Sequence, residues 1–299
     1  MVREYSSEKI REKLIDALSQ SKTGLTGIEI AQKLKVNRVT MSKYLRVFAG
    51  EGLIKQKNMG SVNLWFIEEG AGKLSFPADF FQVKNKYLEY VLSGSTPEVH
   101  TLIRTSLHSG ASPTKMVSEV IIPAIETIQN SYESAKIGRS EKNFYDEVIS
   151  TSISLIGLSE VEVEQKKNVV IMAGDYQNAL VAQAASSALR TGKWRVSLLG
   201  DMSSAIDVMF DIDLQRFLNK VWSKRDGVMI VIVFASKEAE IKFFTQAIEA
   251  SKGKYAKNIH LAICTKIGKK TKTSADFVSD NVEALLQWCQ TVYENYQNQ

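Results

Sequence analysis

The spacing of apolar residues changes along this chain, from helical in the first half to short unbroken runs in the second. Near the N-terminus, Thr26 opens a short helix over Gly27–Lys35, and Asn37 is a good N-cap for a second from Arg38 to about Gly50. At about 100° per residue, Met41, Leu45 and Phe48 share one side of that second helix. Val39, Lys43 and Arg46 fall on the other, flanked by Thr40 and Ser42. Gly52 ends the helix, and Leu53-Ile54 lead into a hairpin that runs to Phe66, with Asn58-Met59-Gly60-Ser61 as its turn.

Residues 71–83 read as a linker in which Pro77 limits helix. Four helical stretches follow, over Lys84–Ser93, Pro97–Ser109, Ser112–Ala135 and Ser140–Leu158, joined by short loops that carry Gly94, Gly110 and Gly138. Short loops between amphipathic helices predict a four-helix bundle. From Lys167 onward, apolar strands (Asn168–Ala173, Trp194–Leu199, Gly227–Phe234, Asn258–Cys264) alternate with helices (about Asn178–Thr191, Ser204–Lys224, Lys237–Lys252 and Asn281–Tyr296). That alternation predicts a mostly parallel sheet wound on both faces. The expected fold class is therefore multidomain α and α/β: residues 1–70 a helix-turn-helix with a wing, 84–160 a helical cap, and 166–299 a flavodoxin-like domain.

Charge sharpens the first of these. Lys33 to Lys57 hold seven cations against one anion, Glu51, and residues 1–70 carry +4 of the net +5. Such a cluster neutralises phosphates and releases counterions. Long cations beside small hydroxyl donors suit a groove-reading helix, although a basic hairpin with merely solvated charges would show the same composition. Elsewhere composition mainly excludes. With 44% apolar and 24% charged residues the chain is ordinary for a globular protein, and Val228–Ala235 is far too short to span a membrane. The N-terminal residues Met1–Tyr5 hold no apolar signal core, so a cytoplasmic location is expected. Cys264 and Cys289 make neither a disulfide framework nor a metal motif, and His100, His108 and His260 lack ligand spacing. No phosphate loop or nucleophile elbow is present, so no catalytic or metal residues are expected. Asp175, after the first strand of the α/β segment, is as well suited to capping the next helix as to chemistry. The basic run Lys269–Thr273 reads as a solvated loop.

Residues 5–68 resemble the winged helix-turn-helix domains of bacterial and archaeal transcription regulators. That resemblance implies a second helix in the major groove and a wing against the backbone or minor groove. Carried onto this chain, the double-stranded DNA contacts would be Arg38, Val39, Thr40, Ser42, Lys43 and Arg46, with Lys55 and Lys57 on the wing.

A second resemblance covers the rest. Leu88–Gly94, Leu107–Pro113, Val120–Ile125 and Tyr132–Gly138 resemble the helical cap beside cobalamin-binding domains, as in methionine synthase and the cobalamin-dependent light-sensing repressors. The α/β segment resembles the cobalamin-binding domain itself. The resemblance implies Asp-x-His-x-x-Gly for the lower cobalt ligand, but Asp175-Tyr176-Gln177-Asn178-Ala179-Leu180 stands there. An amide oxygen is a poor replacement for imidazole on a transition metal. The serine step that cradles the nucleotide tail falls on Val231-Ile232-Val233, and its glycine pair near Cys264-Thr265. The upper-face Glu-His pair falls on Lys142-Asn143, and its tryptophan on Tyr132.

No cofactor is therefore expected, and cobalamin is not expected to bind in the known manner. Tyr132, Asn143, Asp175, Tyr176 and Gln177 are the candidate pocket, although Tyr132 and Tyr176 would serve equally as packing aromatics. Three possibilities stay open there: another ligand, a filled space used for assembly, or cobalamin held without a protein ligand. The expected function is a DNA-binding transcription regulator that assembles as a homodimer or higher homo-oligomer and answers an unknown small-molecule or protein signal. The alternatives are a corrinoid-binding carrier or methyl-transfer protein, a cobalamin-responsive regulator, and a scaffold that binds a partner protein.

Overall fold

A computed structural model describes residues 7–21, 24–50, 53–59, 62–67, 74, 76, 78–158, 162–206, 209–223, 226–252, 258–267 and 273–298. The chain divides into two compact units, Met1–Ala111 and Ser112–Gln299. The division falls inside the stretch expected to form one cap over 84–160, so two of its four helices belong to each unit.

In the first unit, α1 (Ser7–Ser19) precedes a short strand, β1 (Leu25–Thr26), then α2 (Gly27–Leu34), α3 (Arg38–Gly50), β2 (Lys55–Met59) and β3 (Val62–Phe66). The strands form an antiparallel sheet in the order β1-β3-β2. The start of α2 is set by a capping box: Thr26 Oγ1 accepts from the Glu29 amide at 3.2 Å, and Glu29 Oε2 accepts from the Thr26 amide at 2.7 Å. Lys35 stops it in the left-handed region at φ 54°, and the Val36 amide closes the turn on Ala31 O at 3.0 Å. Asn37 Oδ1 then accepts from the Val39 amide at 2.8 Å and starts α3. Ile10, Leu14, Ile30, Met41, Leu45 and Phe48 close one core with Trp65 of the hairpin. The expected turn residues Gly60 and Ser61, and the helix stop at Gly52, lie outside the described residues.

The first unit ends in a helix pair, α4 (Phe80–Leu92) and α5 (Thr96–His108), joined by a three-residue turn with Gly94 at φ 73°. Helix α4 starts four residues before the expected Lys84 and takes the end of the expected linker with it. The reason is burial: Phe80 and Val83 fall on the same buried stripe as Tyr87 and Val91. The rest of the linker is described only in part, and Pro77 lies outside the described residues.

The second unit opens with a continuous helical run. Helix α6 (Pro113–Met116) passes through a π turn (Val117–Ile121) into α7 (Ile122–Glu133). Pro123 supplies the physical cause. It has no amide proton and its ring crowds the carbonyl four residues back, so the ladder widens just before it and the Ile122 amide reaches Val117 O instead. Helix α8 (Arg139–Gly157) follows. Strands β4 (Lys167–Ala173), β5 (Arg195–Asp201), β6 (Val228–Phe234), β7 (Ile259–Cys264) and β8 (Phe277–Ser279) form a parallel sheet in the order β5-β4-β6-β7-β8. Numbered within this sheet the order is 2-1-3-4-5, the flavodoxin-like doubly wound arrangement.

Helices α9 (Tyr176–Thr191) and α12 (Val282–Gln297) cover one face of the sheet, and α10 (Phe210–Val221) and α11 (Glu238–Lys252) the other. Alternation along β6 shows why its whole length is apolar: Ile230 and Ile232 enter the first core, Val231 and Val233 the second. One expected helix is corrected. Ser204–Lys224 is not continuous; a 3-10 turn at Ser203–Ala205 precedes α10, which begins only at Phe210. Phe210 is its first buried anchor, packed edge-on to Phe244, and Asp211 and Asp213 then favour a helix N-terminus there.

Candidate functional site

Two surfaces collect the residues singled out in the sequence. The first is the outer face of α3. Burying Met41, Leu45 and Phe48 turns Arg38, Val39, Thr40, Ser42, Lys43 and Arg46 to the outside, all of them exposed. Lys55 and Lys57 are exposed on β2. Ser42 Oγ donates to Arg38 O at 2.9 Å, so its proton is held within the helix and only its acceptor capacity faces outward. Val39 is 68% exposed, an apolar branched side chain among cations that the unit's own core does not use.

The second surface is a cavity of about 400 Å³ inside Ser112–Gln299. It lies at the carboxyl ends of the parallel strands, where α/β sheets present loops and helix N-termini to ligands. Along α7, Ile122, Ile125, Glu126, Gln129 and Glu133 recur at helical spacing and form one wall. Asn143, Asp146, Glu147 and Ser150 of α8 form the next. Tyr176, Gln177, Leu180 and Val181 bring in the first turns of α9. Leu198, Phe234, Cys264 and Val282 supply apolar surface from the sheet and the start of α12.

Three of the five expected pocket residues, Asn143, Tyr176 and Gln177, meet at this cavity. Tyr132 does not line it, because it sits one position, about 100°, off the stripe that ends at Glu133. Asp175 does not line it either. Its Oδ1 accepts from the Asn178 amide at 2.9 Å and its Oδ2 from the Ser236 amide at 3.2 Å, so it caps α9 and ties it to the loop after β6. Helices α8 and α9 are pinned together by Ser150 Oγ donating to Gln183 Oε1 at 3.0 Å and by Ser187 Oγ donating to Ile153 O at 3.1 Å.

The electrostatics were not apparent from sequence. Lys142 pairs with Asp146 with both side chains largely buried, and Lys266 reaches Glu126 at 3.5 Å. Burial, and then the nearby Asp280 carboxylate, push the Cys264 thiol up to about 12, which leaves it protonated and a poor metal ligand. Among the described residues no histidine lines the cavity, and no cluster of three metal-ligating side chains occurs. Val231 and Val233, the positions matched in sequence to the serine step, are fully buried on the opposite face of the sheet, against α10 and α11. Cys264 and Thr265 are buried where the glycine pair would stand. Among the described residues, this donor set does not fit cobalt held through a protein ligand.

Neither a family model nor a curated protein matches the sequence. At the level of fold, the chain is similar to the monomethylamine corrinoid protein of Methanosarcina barkeri. The TM-score is 0.54 at 12% identity, over 71% of this chain and 98% of that one. The class defined by that likeness is a mixed helical and parallel-sheet α/β protein with a corrinoid-protein fold. The methanol:cobalamin methyltransferase complex MtaBC of the same organism overlays at a TM-score of 0.34 and 14% identity, over 76% of this chain and 84% of that one, too low to bear on the fold.

Proposed function

We propose that this chain is a DNA-binding transcription regulator rather than an enzyme. Residues 1–70 act as a winged helix-turn-helix. Helix α3 enters the major groove through Val39–Arg46, and Lys55 and Lys57 rest on the phosphates from the wing. Helices α6 to α8 act as a cap on the flavodoxin-like domain, and this sensor-like module takes a signal and holds the chain as a homodimer or higher oligomer. Pairing two readers gives useful affinity from small half-sites. The observation that supports the reading best is the outer face of α3, where cations, hydroxyls and an exposed valine stand on the side that the core leaves free.

An electrophoretic shift against the chain's own promoter region checks it, with Lys43→Ala/Arg46→Ala as the variant. The wild type should bind and the variant should lose at least about tenfold, given roughly 1–3 kcal/mol per good base-edge contact. Unchanged binding by the variant would remove α3 as the reading helix.

A second reading, a corrinoid-binding carrier, is favoured by the fold shared with a corrinoid protein. Gln177 in place of a ligand histidine counts against it. Reconstitution with cobalamin decides: a red or purple protein that keeps its absorbance through gel filtration supports the carrier.

A further inference from the structure

The charge of the cavity in Ser112–Gln299 is not required by the packing around it. Five carboxylates line it, Glu126, Glu133, Asp146, Glu147 and Asp280, against two ammonium groups, Lys142 and Lys266. Both ammonium groups are already committed. Lys142, its side chain 12% exposed, is held by Asp146, and Lys266 by Glu126. Glu133 accepts from Gln129 Nε2 at 2.7 Å, which leaves its charge in place. Three carboxylates, Glu133, Glu147 and Asp280, therefore face the space with no ion pair among the described residues.

The floor beneath them is apolar, formed by Ile122, Ile125, Leu198, Phe234 and Val282. The π turn before Pro123 sets the phase in which the two isoleucines reach it, and such turns recur at functional sites. Tyr176, 63% exposed, stands among the lining residues with its ring free of the core. A tyrosine face attracts a cation placed over it. The carboxylates come from separate elements and do not converge into a group fit for a metal ion. A volume of about 400 Å³ lies within the roughly 300–1,000 Å³ typical of small-molecule sites.

We propose that this cavity takes a small organic cation, a protonated or quaternary amine joined to an apolar or aromatic body. The body lies on the Ile125–Phe234 floor, and the charge sits between Glu147, Asp280 and the Tyr176 ring. Glu133, Glu147 and Asp280 are exposed and have no ion pair among the described residues, so they would repel an anion and add nothing to the binding of a neutral ligand. The proposal rests on the reading of this unit as a ligand-responsive module and is independent of whether α3 meets DNA.

Three probes with one ring distinguish the classes: benzyltrimethylammonium, benzyl alcohol and phenylacetate, titrated into the full chain by calorimetry or ligand-observed NMR. The cation is expected to bind tightest and phenylacetate weakest. Glu147→Gln/Asp280→Asn should weaken the cation up to about fivefold per carboxylate, the upper range for exposed ion pairs, and leave benzyl alcohol unchanged. Leu198→Trp, which fills the floor, should abolish binding of the cation. Glu283→Gln, a carboxylate off the lining, should change nothing.

Phenylacetate binding as well as the cation overturns the proposal. So does a cation affinity indifferent to the double substitution, or failure of all three probes to bind. Should the double variant lose its circular dichroism, the wild type still decides. Raising NaCl from about 50 to about 500 mM shortens the screening length several-fold and should weaken the cation alone; an equal response of cation and benzyl alcohol overturns the proposal. A promoter shift run on the same preparations separates the two readings. Cation binding without DNA binding sinks the regulator and keeps this site, and the converse sinks this site alone.

Discussion

Salt dependence gives the most quantitative check on the α3 surface. Arg38, Lys43 and Arg46 on α3 and Lys55 and Lys57 on β2 are all exposed. If each neutralises one phosphate, a half-site involves five contacts. Counterion release then gives a slope of log K against log [salt] of about −4.5, at roughly −0.9 per phosphate. Between about 50 and 200 mM salt that amounts to a loss of about 500-fold. Replacing Lys43 and Arg46 by alanine removes two contacts and should bring the slope to about −2.7 and the loss to about 40-fold over the same range. Fluorescence anisotropy with a labelled promoter duplex, at four salt concentrations for each protein, measures both slopes. A wild-type slope near zero would refute the groove-facing role of this surface. A variant slope equal to the wild type's would show that the phosphates are met elsewhere. A dimer doubles both slopes and leaves their ratio unchanged, so the ratio of about 0.6 expected from three contacts against five is the more secure quantity.

Four further predictions concern the scaffold. Gly227 has φ 79° and its added Cβ would lie 2.1 Å from Lys166 O, the acceptor for the Val228 amide at the start of β6; Gly227→Ala should cost at least about 3 kcal/mol by urea denaturation, and a cost below about 1 kcal/mol would show that the carbonyl can move aside. Lys142→Met leaves Asp146 largely buried without its partner and should cost about 2–3 kcal/mol, most of it regained in Lys142→Met/Asp146→Leu. Cys264 and Cys289, both held near 12 by burial, should resist a thiol reagent at pH 8 in the folded protein and react at once in urea. Burial depresses the His260 pKa, outweighing the opposing Asp276 carboxylate. The unfolded chain therefore binds the proton first, so the second unit should lose stability as pH falls below about 6.5 and toward the folded-state pKa. His260→Gln should flatten that part of the pH–stability curve.

How far each feature could be read in advance depended on how local its cause was. The start and buried face of α3 follow from Asn37 and the 41-45-48 spacing, both local to the helix, and Arg38–Gly50 is observed. The strand at Val228–Phe234 is legible because a strand buried on both faces must be apolar throughout. The break before α10 was hidden because helical periodicity continues through residues that tertiary packing does not keep helical. The start of α4 at Phe80 was hidden because its first turn forms in order to bury Phe80 and Val83. The cavity was the least legible. Gln177 and Asn143 could be found because their positions are counted from recognisable neighbours. Glu126, Glu147 and Asp280 belong to three different elements, and only packing brings them together.

The same distinction limits what the shared fold can say about a ligand. In a doubly wound sheet the turn after the first strand points the next helix N-terminus into the crevice, whatever residues it carries. Asp175 is needed there to cap α9 and to bind the Ser236 amide, duties that any ligand would leave standing. Tyr176 and Gln177 have no such duty in the fold; both are exposed. The aspartate therefore speaks for the scaffold, and the two residues after it speak for the ligand. On this chain those residues are an aromatic face and an amide, set beside three carboxylates, Glu133, Glu147 and Asp280, that have no ion pair among the described residues. Among the described residues that lining holds no imidazole or thiolate of the kind a transition metal prefers, and the proposed organic cation is the ligand its carboxylates and aromatic face suit.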